Sequence, residues 1–189
     1  TFVACALAAF LSAEGKKVGV MKPVETGCEL KDGRLVPEDA LRLSRFSGSP
    51  LSLESLCPYR FAPPLAPVAA AEMAGVRIEK ETLIALYERI AAQHDITLVE
   101  GAGGLLVPRA DRYTFADLAR DLSLPLLVVV GSKLGAINHT LLTLHCARSL
   151  GLSVRGYILN HPTPNRDLAA ETNRHMLARL TDIPCLGSL

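Results

Sequence analysis

Residues 95–104 read Asp-Ile-Thr-Leu-Val-Glu-Gly-Ala-Gly-Gly: an apolar run halts at one carboxylate, Glu100, and three glycines follow within four positions. An unbroken apolar run is the pattern of a parallel strand covered on both faces. In open α/β sheets, ligands collect outside the carboxyl ends of such strands. Glycines there let backbone amides approach an anion closely. A carboxylate beside an anion-binding loop calls for a cation, and Mg²⁺ with a nucleotide phosphate is the common solution. The stretch therefore predicts an α/β fold with chemistry on a phosphate.

The rest of the chain alternates in the same way. Helical spacing is expected over Thr1–Glu14, ending at Gly15, and a short apolar strand over Val18–Val24, with Lys22 near its end. A polar loop follows over Glu25–Pro37 and a short helix over Glu38–Phe46. Ser47–Pro67 carries five prolines and reads as a long irregular excursion before an Ala-rich segment at Pro67–Ala74. An amphipathic helix is expected over Glu79–His94, with Leu83, Leu86, Tyr87 and Ile90 on one side. Then come a strand at Asp95–Val99, a helix at Tyr113–Leu122, a strand at Leu124–Val130 and a helix at Ala136–Leu150. The last expected elements are a strand at Ser153–Asn160, a helix at Arg166–Leu180 and a strand starting at Ile183–Leu186. Strands alternating with helices argue for βαβ units and a mainly parallel sheet with helices on both faces. No repeat or linker divides the chain, and 189 residues suit one domain with a full core.

Composition narrows the function classes. A net charge of +1 gives no bulk field to recruit nucleic acid or an anionic membrane. With 5% aromatic residues and no Trp, base-stacking platforms are not expected. No apolar run approaches the ~18 residues of a membrane span. Thr1–Leu11 is apolar but lacks a basic leader segment, so it reads as a packed helix and not a signal peptide. The five cysteines are odd in number, scattered and free of C-x-x-C pairs, which speaks against disulfide or zinc frameworks and for a reduced, cytoplasmic setting.

Four expected strands end at polar or glycine-rich groups: Lys22 to Gly27, Glu100 to Gly104, Gly131 to Asn138, and Asn160. Each has two readings. Lys22 is either a lysine snorkelling at an edge or a cation aimed at a phosphate. Glu100 either caps a turn or holds a metal. Asp39, after Pro37-Glu38 at a helix start, reads as a first-turn acid. Asn160 alone has the weight of a turn residue. Gly135–Asn138 is either an ordinary helix entry or an anion cradle. The histidines form no metal set, since His139 and His145 are six apart and do not share a helical face. No G-x-S-x-G elbow is present, which disfavours hydrolase triad chemistry.

Together, Met-Lys-Pro-Val-Glu-Thr-Gly (21–27), Glu-Asp-Ala-Leu (38–41), Leu-Val-Glu-Gly-Ala-Gly-Gly (98–104), Thr-Phe-Ala-Asp-Leu (114–118), Lys-Leu-Gly-Ala-Ile-Asn-His (133–139) and Leu-Asn (159–160) resemble the dethiobiotin synthetase family. The resemblance spans nearly the whole chain, in order. It implies a P-loop NTPase-like three-layer α/β fold with a mainly parallel central sheet. It implies a homodimer that uses ATP, Mg²⁺ and CO₂ (or bicarbonate) to close a ureido ring on 7,8-diaminononanoate. By the same resemblance Lys22 is the catalytic cation. Thr26 and Gly135, Ala136, Ile137 and Asn138 bind substrate, the latter four at its carboxylate across the dimer interface. Thr1, Asp39 and Glu100 ligate Mg²⁺ beside the nucleotide. Gly101, Ala102 and Gly103 lie along the nucleotide, with Asn160 and His161 at its base.

The family's pattern opens with a strand and a G-x-x-x-x-x-G-K-T loop, and Thr1 matches the final Thr of that loop. The preceding strand, glycines and lysine fall outside these 189 residues, as does a second adenine-contacting segment after Leu189. Two alternatives share the fold. A partitioning-type nucleotide switch is expected to carry a basic surface or amphipathic tail, and an amide-forming synthetase of the cobyrinic acid type an amidotransferase half. Neither feature is found in this sequence.

Overall fold

Two strand tips come together because the first and sixth strands pair in parallel and end level with each other. The structure is a computed structural model and describes residues 1–110, 112–161 and 168–189. Two compact units are distinguished, Thr1–Leu118 and Ala119–Leu189.

The first unit runs α1 (Phe2–Ala13), β1 (Val18–Met21), β2 (Val24–Thr26), β3 (Glu29–Lys31), β4 (Arg34–Val36), α2 (Glu38–Ser47), α3 (Leu53–Leu56) and β5 (Tyr59–Phe61). It continues through α4 (Pro67–Met73), α5 (Lys80–Ala91), β6 (Ile96–Val99), β7 (Pro108–Ala110) and β8 (Tyr113–Thr114), and α6 (Phe115–Asp121) follows. Helix α1 stops where Gly15 takes φ +79°, in the left-handed region that favours glycine. The N–H groups of Gly15 and Lys16 then turn back to the carbonyls of Ser12 and Leu11, a Schellman closure. All four residues of β1 are buried. Val18 and Val20 pack with Cys5 and Ala8 of α1, Ala40 and Leu43 of α2, Leu56 at the end of α3 and Cys57 after it. This core fixes three elements around the tip of β1.

β1 pairs in parallel with β6, Val18 opposite Ile96 through Met21 opposite Val99. β2 pairs in parallel with β5. Antiparallel pairing among the described residues is confined to the hairpins β3–β4 and β7–β8.

The second unit holds β9 (Leu126–Gly131), α7 (Ala136–Ser149), β10 (Val154–Asn160), α8 (Leu168–Leu180) and β11 (Cys185–Ser188). Its three strands form one parallel sheet in the order β11–β10–β9. Val130, Ala136, Tyr157, Leu159 and Leu177 form its buried core.

Parallel pairing and alternating helices agree with the α/β expectation. The differences are local. The expected strand Val18–Val24 breaks at Lys22–Pro23: Pro23 has no N–H to offer a ladder, and the Lys22 N–H turns aside to the Leu56 carbonyl at 2.8 Å. The expected polar loop 25–37 contains β2's end and the β3–β4 hairpin, closed by Asp32 and Gly33 at positive φ. The excursion 47–67 is not structureless, since it carries α3 and β5. The helix expected from Tyr113 starts at Phe115, because Tyr113–Thr114 pair with β7. There the Asp117 carboxylate accepts the Thr114 N–H at 2.8 Å and hydroxyl at 2.7 Å. The start expected for the last helix, at Arg166, lies outside the described residues.

Candidate functional site

Because β1 and β6 end level, the next residue of each strand sits at a shared tip. The ladder extends one step, the Glu100 N–H donating to the Met21 carbonyl at 2.9 Å. Lys22 and Glu100 are those next residues. The Lys22 Nζ lies 2.7 Å from Glu100 Oε1 and 3.4 Å from Asp39 Oδ2, and it also donates to the Gly101 carbonyl at 3.4 Å. The Thr1 hydroxyl donates to Glu100 Oε1 at 2.7 Å. Asp39 is the second residue of α2, which packs on β1. The structure thus gathers Thr1, Lys22, Asp39, Glu100 and Gly101 from four places in the sequence.

The ammonium is the most enclosed member. Side-chain exposure is 5% for Lys22, 15% for Glu100 and 37% for Asp39. Burial acts to lower the Lys22 pKa, but Glu100, Asp39 and Glu25 outweigh it, so the ammonium holds its proton above the ordinary 10.5. Burial acts to raise the Asp39 carboxyl, but contact with Thr1 and the charge of Lys22 outweigh it and hold the group below 3.8. Lys22 is therefore a fixed positive charge and Asp39 a fixed negative one at neutral pH.

Among the side chains, one ammonium faces two carboxylates here. Glu100 Oε2 is buried and takes no hydrogen bond. Buried polar oxygens are normally satisfied, so an orphan of this kind marks a place for a ligand. Two carboxylates and a hydroxyl are hard oxygen donors. They fit Mg²⁺, which is held by one or two carboxylates and completes its shell with water and phosphate oxygens. They do not make an all-protein metal cage: among the described residues, no group of three or more His, Cys, Asp or Glu side chains is placed to hold a metal.

After Glu100 the chain opens outward. Gly101, Gly103 and Gly104 are exposed and Ala102 half-buried. Gly103 has φ +79°, and a Cβ there would also meet Val107 at 3.0 Å, so this position requires glycine. Thr26 ends β2 opposite Phe61 and is half-buried.

The second unit brings together the other expected residues. Asn160 pairs with Gly131 at the ends of β10 and β9, and its carbonyl accepts the Ser132 N–H at 2.8 Å. The half-buried His161 donates its N–H to the Leu189 carbonyl at 2.8 Å, and its Nδ1 is buried without a partner. Gly135 precedes α7 at φ +89°, with Ala136 buried, Ile137 half-buried and Asn138 exposed. The buried Asn173 of α8 donates to Ser132 Oγ at 3.1 Å and to the Lys133 carbonyl at 3.2 Å, holding the loop before α7.

Sequence reasoning missed Asn173 and Glu25. Glu25 is buried at 7% exposure, and it accepts the N–H groups of Asp39 and Ala40 at the start of α2. A signal was present: α2 begins after Pro37 with no Ser, Thr, Asn or Asp to cap it, so its first N–H groups need an acceptor from elsewhere.

The AAA domain family model matches residues 1–189. Among solved structures, the ParA family ATPase from Chlorobium tepidum TLS aligns over 98% of this chain and 78% of its own, at TM-score 0.53 and 14% identity. That likeness speaks to the fold. Among sequences, the ATP-dependent dethiobiotin synthetase BioD of Thermodesulfovibrio yellowstonii is 38% identical over all of this chain and 82% of its own length. The proteins of the same name from Aromatoleum aromaticum and Aquifex aeolicus are each 43% identical, over 99% and 97% of this chain and 83% and 80% of their own. With agreement over 97–100% of this chain and 80–83% of those relatives, and with the P-loop ATPase fold, the chain belongs to the ATP-dependent dethiobiotin synthetase family.

Proposed function

We propose that this chain catalyses ATP-dependent dethiobiotin formation in biotin biosynthesis. The reaction carboxylates 7,8-diaminononanoate with CO₂ and closes its ureido ring, releasing ADP and phosphate. The observation that carries the reading is the junction of Lys22, Asp39 and Glu100 at one strand tip, with the Thr1 hydroxyl on Glu100.

The chemical difficulty is a weak, anionic nucleophile. A carbamate oxygen must attack the γ-phosphoryl group of ATP, breaking its bond to the bridging oxygen and releasing ADP. The second amine then attacks the carbamoyl carbon, and phosphate leaves as the ring closes. Phosphoryl transfer is governed by positioning and charge stabilisation. Lys22, proton-bound and enclosed, is the group that offsets the charge of carbamate and phosphoryl oxygens brought together. Its present partners keep it preorganised: Glu100 and Asp39 orient the ammonium and hand it over as anionic substrate arrives. Thr1, Asp39 and Glu100 would hold Mg²⁺, which when bound neutralises phosphate charge. Gly101, Ala102 and Gly103 run along the nucleotide, and Asn160 and His161 read its base. Thr26 and Gly135–Asn138 bind the diamine and its carboxylate, the latter group at a homodimer interface. Residues 1–189 act as one P-loop-type domain.

No helix among the described residues is long and apolar enough to cross a membrane, and a cytoplasmic location fits this chemistry. A nucleotide switch of the partitioning type is the alternative. Likeness to a ParA family ATPase at 14% identity supports the shared fold and lends that alternative no activity.

The test is ATP consumption by the full protein under three conditions: ATP alone, ATP with glutamine, and ATP with diaminononanoate and bicarbonate. Only the last should stimulate turnover and yield dethiobiotin by mass. Turnover unaffected by the diamine rejects the proposal.

A further inference from the structure

Glu25 has no part in the chemistry described above, yet it is a carboxylate held nearly out of water. Burial pushes its carboxyl pKa up, against the pull of two amide hydrogen bonds. Those bonds go to one place. Oε1 accepts the Asp39 N–H at 2.9 Å and Oε2 the Ala40 N–H at 3.0 Å. The first N–H groups of a helix have no partner within it, and Pro37, at the N-cap position, makes no side-chain cap bond. Glu25 supplies both acceptors from β2, a strand on another part of the chain.

The consequence reaches the strand tip. Asp39 is the second residue of α2, so its backbone is one of the two gripped by Glu25. Glu25 also lies three residues beyond Lys22 on the same short segment, with the rigid Pro23 between them. One stretch of backbone therefore carries the ammonium at one end and the clamp on its partner carboxylate at the other. A helix free to fray or rotate at its first turn would lose the 3.4 Å approach of Asp39 to Lys22.

We propose that Glu25 is a positioning residue: by gripping the first turn of α2 it sets where the Asp39 carboxylate stands relative to Lys22 and to a bound divalent cation. This rests on the reading of Thr1, Asp39 and Glu100 as Mg²⁺ holders.

The test uses the full protein, wild type and the variants Glu25→Ala and Glu25→Gln, with Mn²⁺ as probe. Mn²⁺ affinity in the presence of ADP is read by electron paramagnetic resonance of the free ion, well below each variant's melting temperature. Loss of an outer partner that orients a metal ligand typically weakens metal binding about 10- to 100-fold. Glu25→Ala should show a loss of that order. Glu25→Gln keeps one carbonyl acceptor but turns its amide toward the other N–H, and should lose less. In turnover, kcat should fall while KM for diaminononanoate stays near the wild-type value. A mere structural cap would lower the melting temperature and leave Mn²⁺ affinity untouched, so a folded variant with wild-type affinity overturns the proposal. Should Glu25→Ala fail to fold, Glu25→Gln decides. Wild-type protein that binds Mn²⁺ with ADP but ignores the diamine overturns the proposed function alone, since the Glu25 variants are still read by the ion. Wild-type protein that binds no Mn²⁺ overturns both.

Discussion

Replacing Lys22 by methionine keeps an apolar stem of similar length and removes the ammonium. In the structure that ammonium sits 2.7 Å from a carboxylate that is 15% exposed and 3.4 Å from a second. Its loss leaves Glu100 enclosed beside Asp39 with no compensating side chain. Breaking one partner of a buried pair costs about 3–5 kcal/mol, against about 0–1 for a surface pair. Asp39 keeps substantial contact with water, so the lower end, about 3 kcal/mol, is expected. In a chain of this size each kcal/mol moves the melting temperature by about 2–4 °C. Lys22→Met should therefore melt about 6–12 °C below wild type in Mg²⁺-free buffer. Adding Glu100→Gln to Lys22→Met removes the stranded charge and should recover part of that loss. Under turnover, kcat/KM should fall by a factor of about 10² to 10³, the scale for one preorganised charge partner. Scanning calorimetry of the single and double variants is the assay. A shift below about 2 °C would mean the pair behaves as a surface contact, and near-normal turnover would remove Lys22 from the chemistry.

Glu100→Gln should raise the Mg²⁺ concentration needed for half-maximal turnover, and an unchanged metal titration would exclude Glu100 as a ligand. Asp39 has a folded pKa below its ordinary 3.8, so its contribution to stability is present above that value and drains away as pH falls through the folded one. Urea unfolding of wild type and Asp39→Asn at about pH 5 and about pH 3 should show the wild type losing more stability; equal losses refute the pairing. Gly19→Ala puts a Cβ 2.6 Å from Ile90 Cγ2 and 2.9 Å from Thr97 Oγ1 in the buried β1. It should cost about 1–3 kcal/mol in thermal melts, whereas Gly104→Ala, with open space around it, should stay within about 0.5 kcal/mol.

The sequence made the parallel strands legible through apolar runs such as 96–99 and 126–130, but the full burial and central place expected of 124–130 are not found: β6 is half-buried along its length, and β9 ends the order β11–β10–β9 with Val129 50% exposed. It also made the meeting of Lys22 and Glu100 legible, since both stand at strand tips. It did not reveal that the β1–β6 register ends level, which is what turns two tips into a 2.7 Å contact. Register depends on pairing between segments some eighty residues apart, and no local pattern encodes it. Glu25 was only half legible for a related reason: the uncapped start of α2 calls for an acceptor, but nothing local says which residue supplies it. Read locally it is one polar residue opening a polar loop, and its partners are backbone N–H groups, which leave no trace in side-chain spacing. The hairpin at 29–36 and the short elements at 53–61 were hidden by their brevity, being too short to display a period.

The N–H of Lys22 ends on the carbonyl of Leu56, whose side chain is wholly enclosed with Cys57 beside it. The proline-rich passage through residues 50–64 is thus a brace whose middle grips the peptide bearing the Lys22 ammonium. Its length is consequently not free to drift as a surface loop's would be. A deletion or a proteolytic nick at residues 51–56 would be felt as a displaced ammonium, long before the strands themselves came apart.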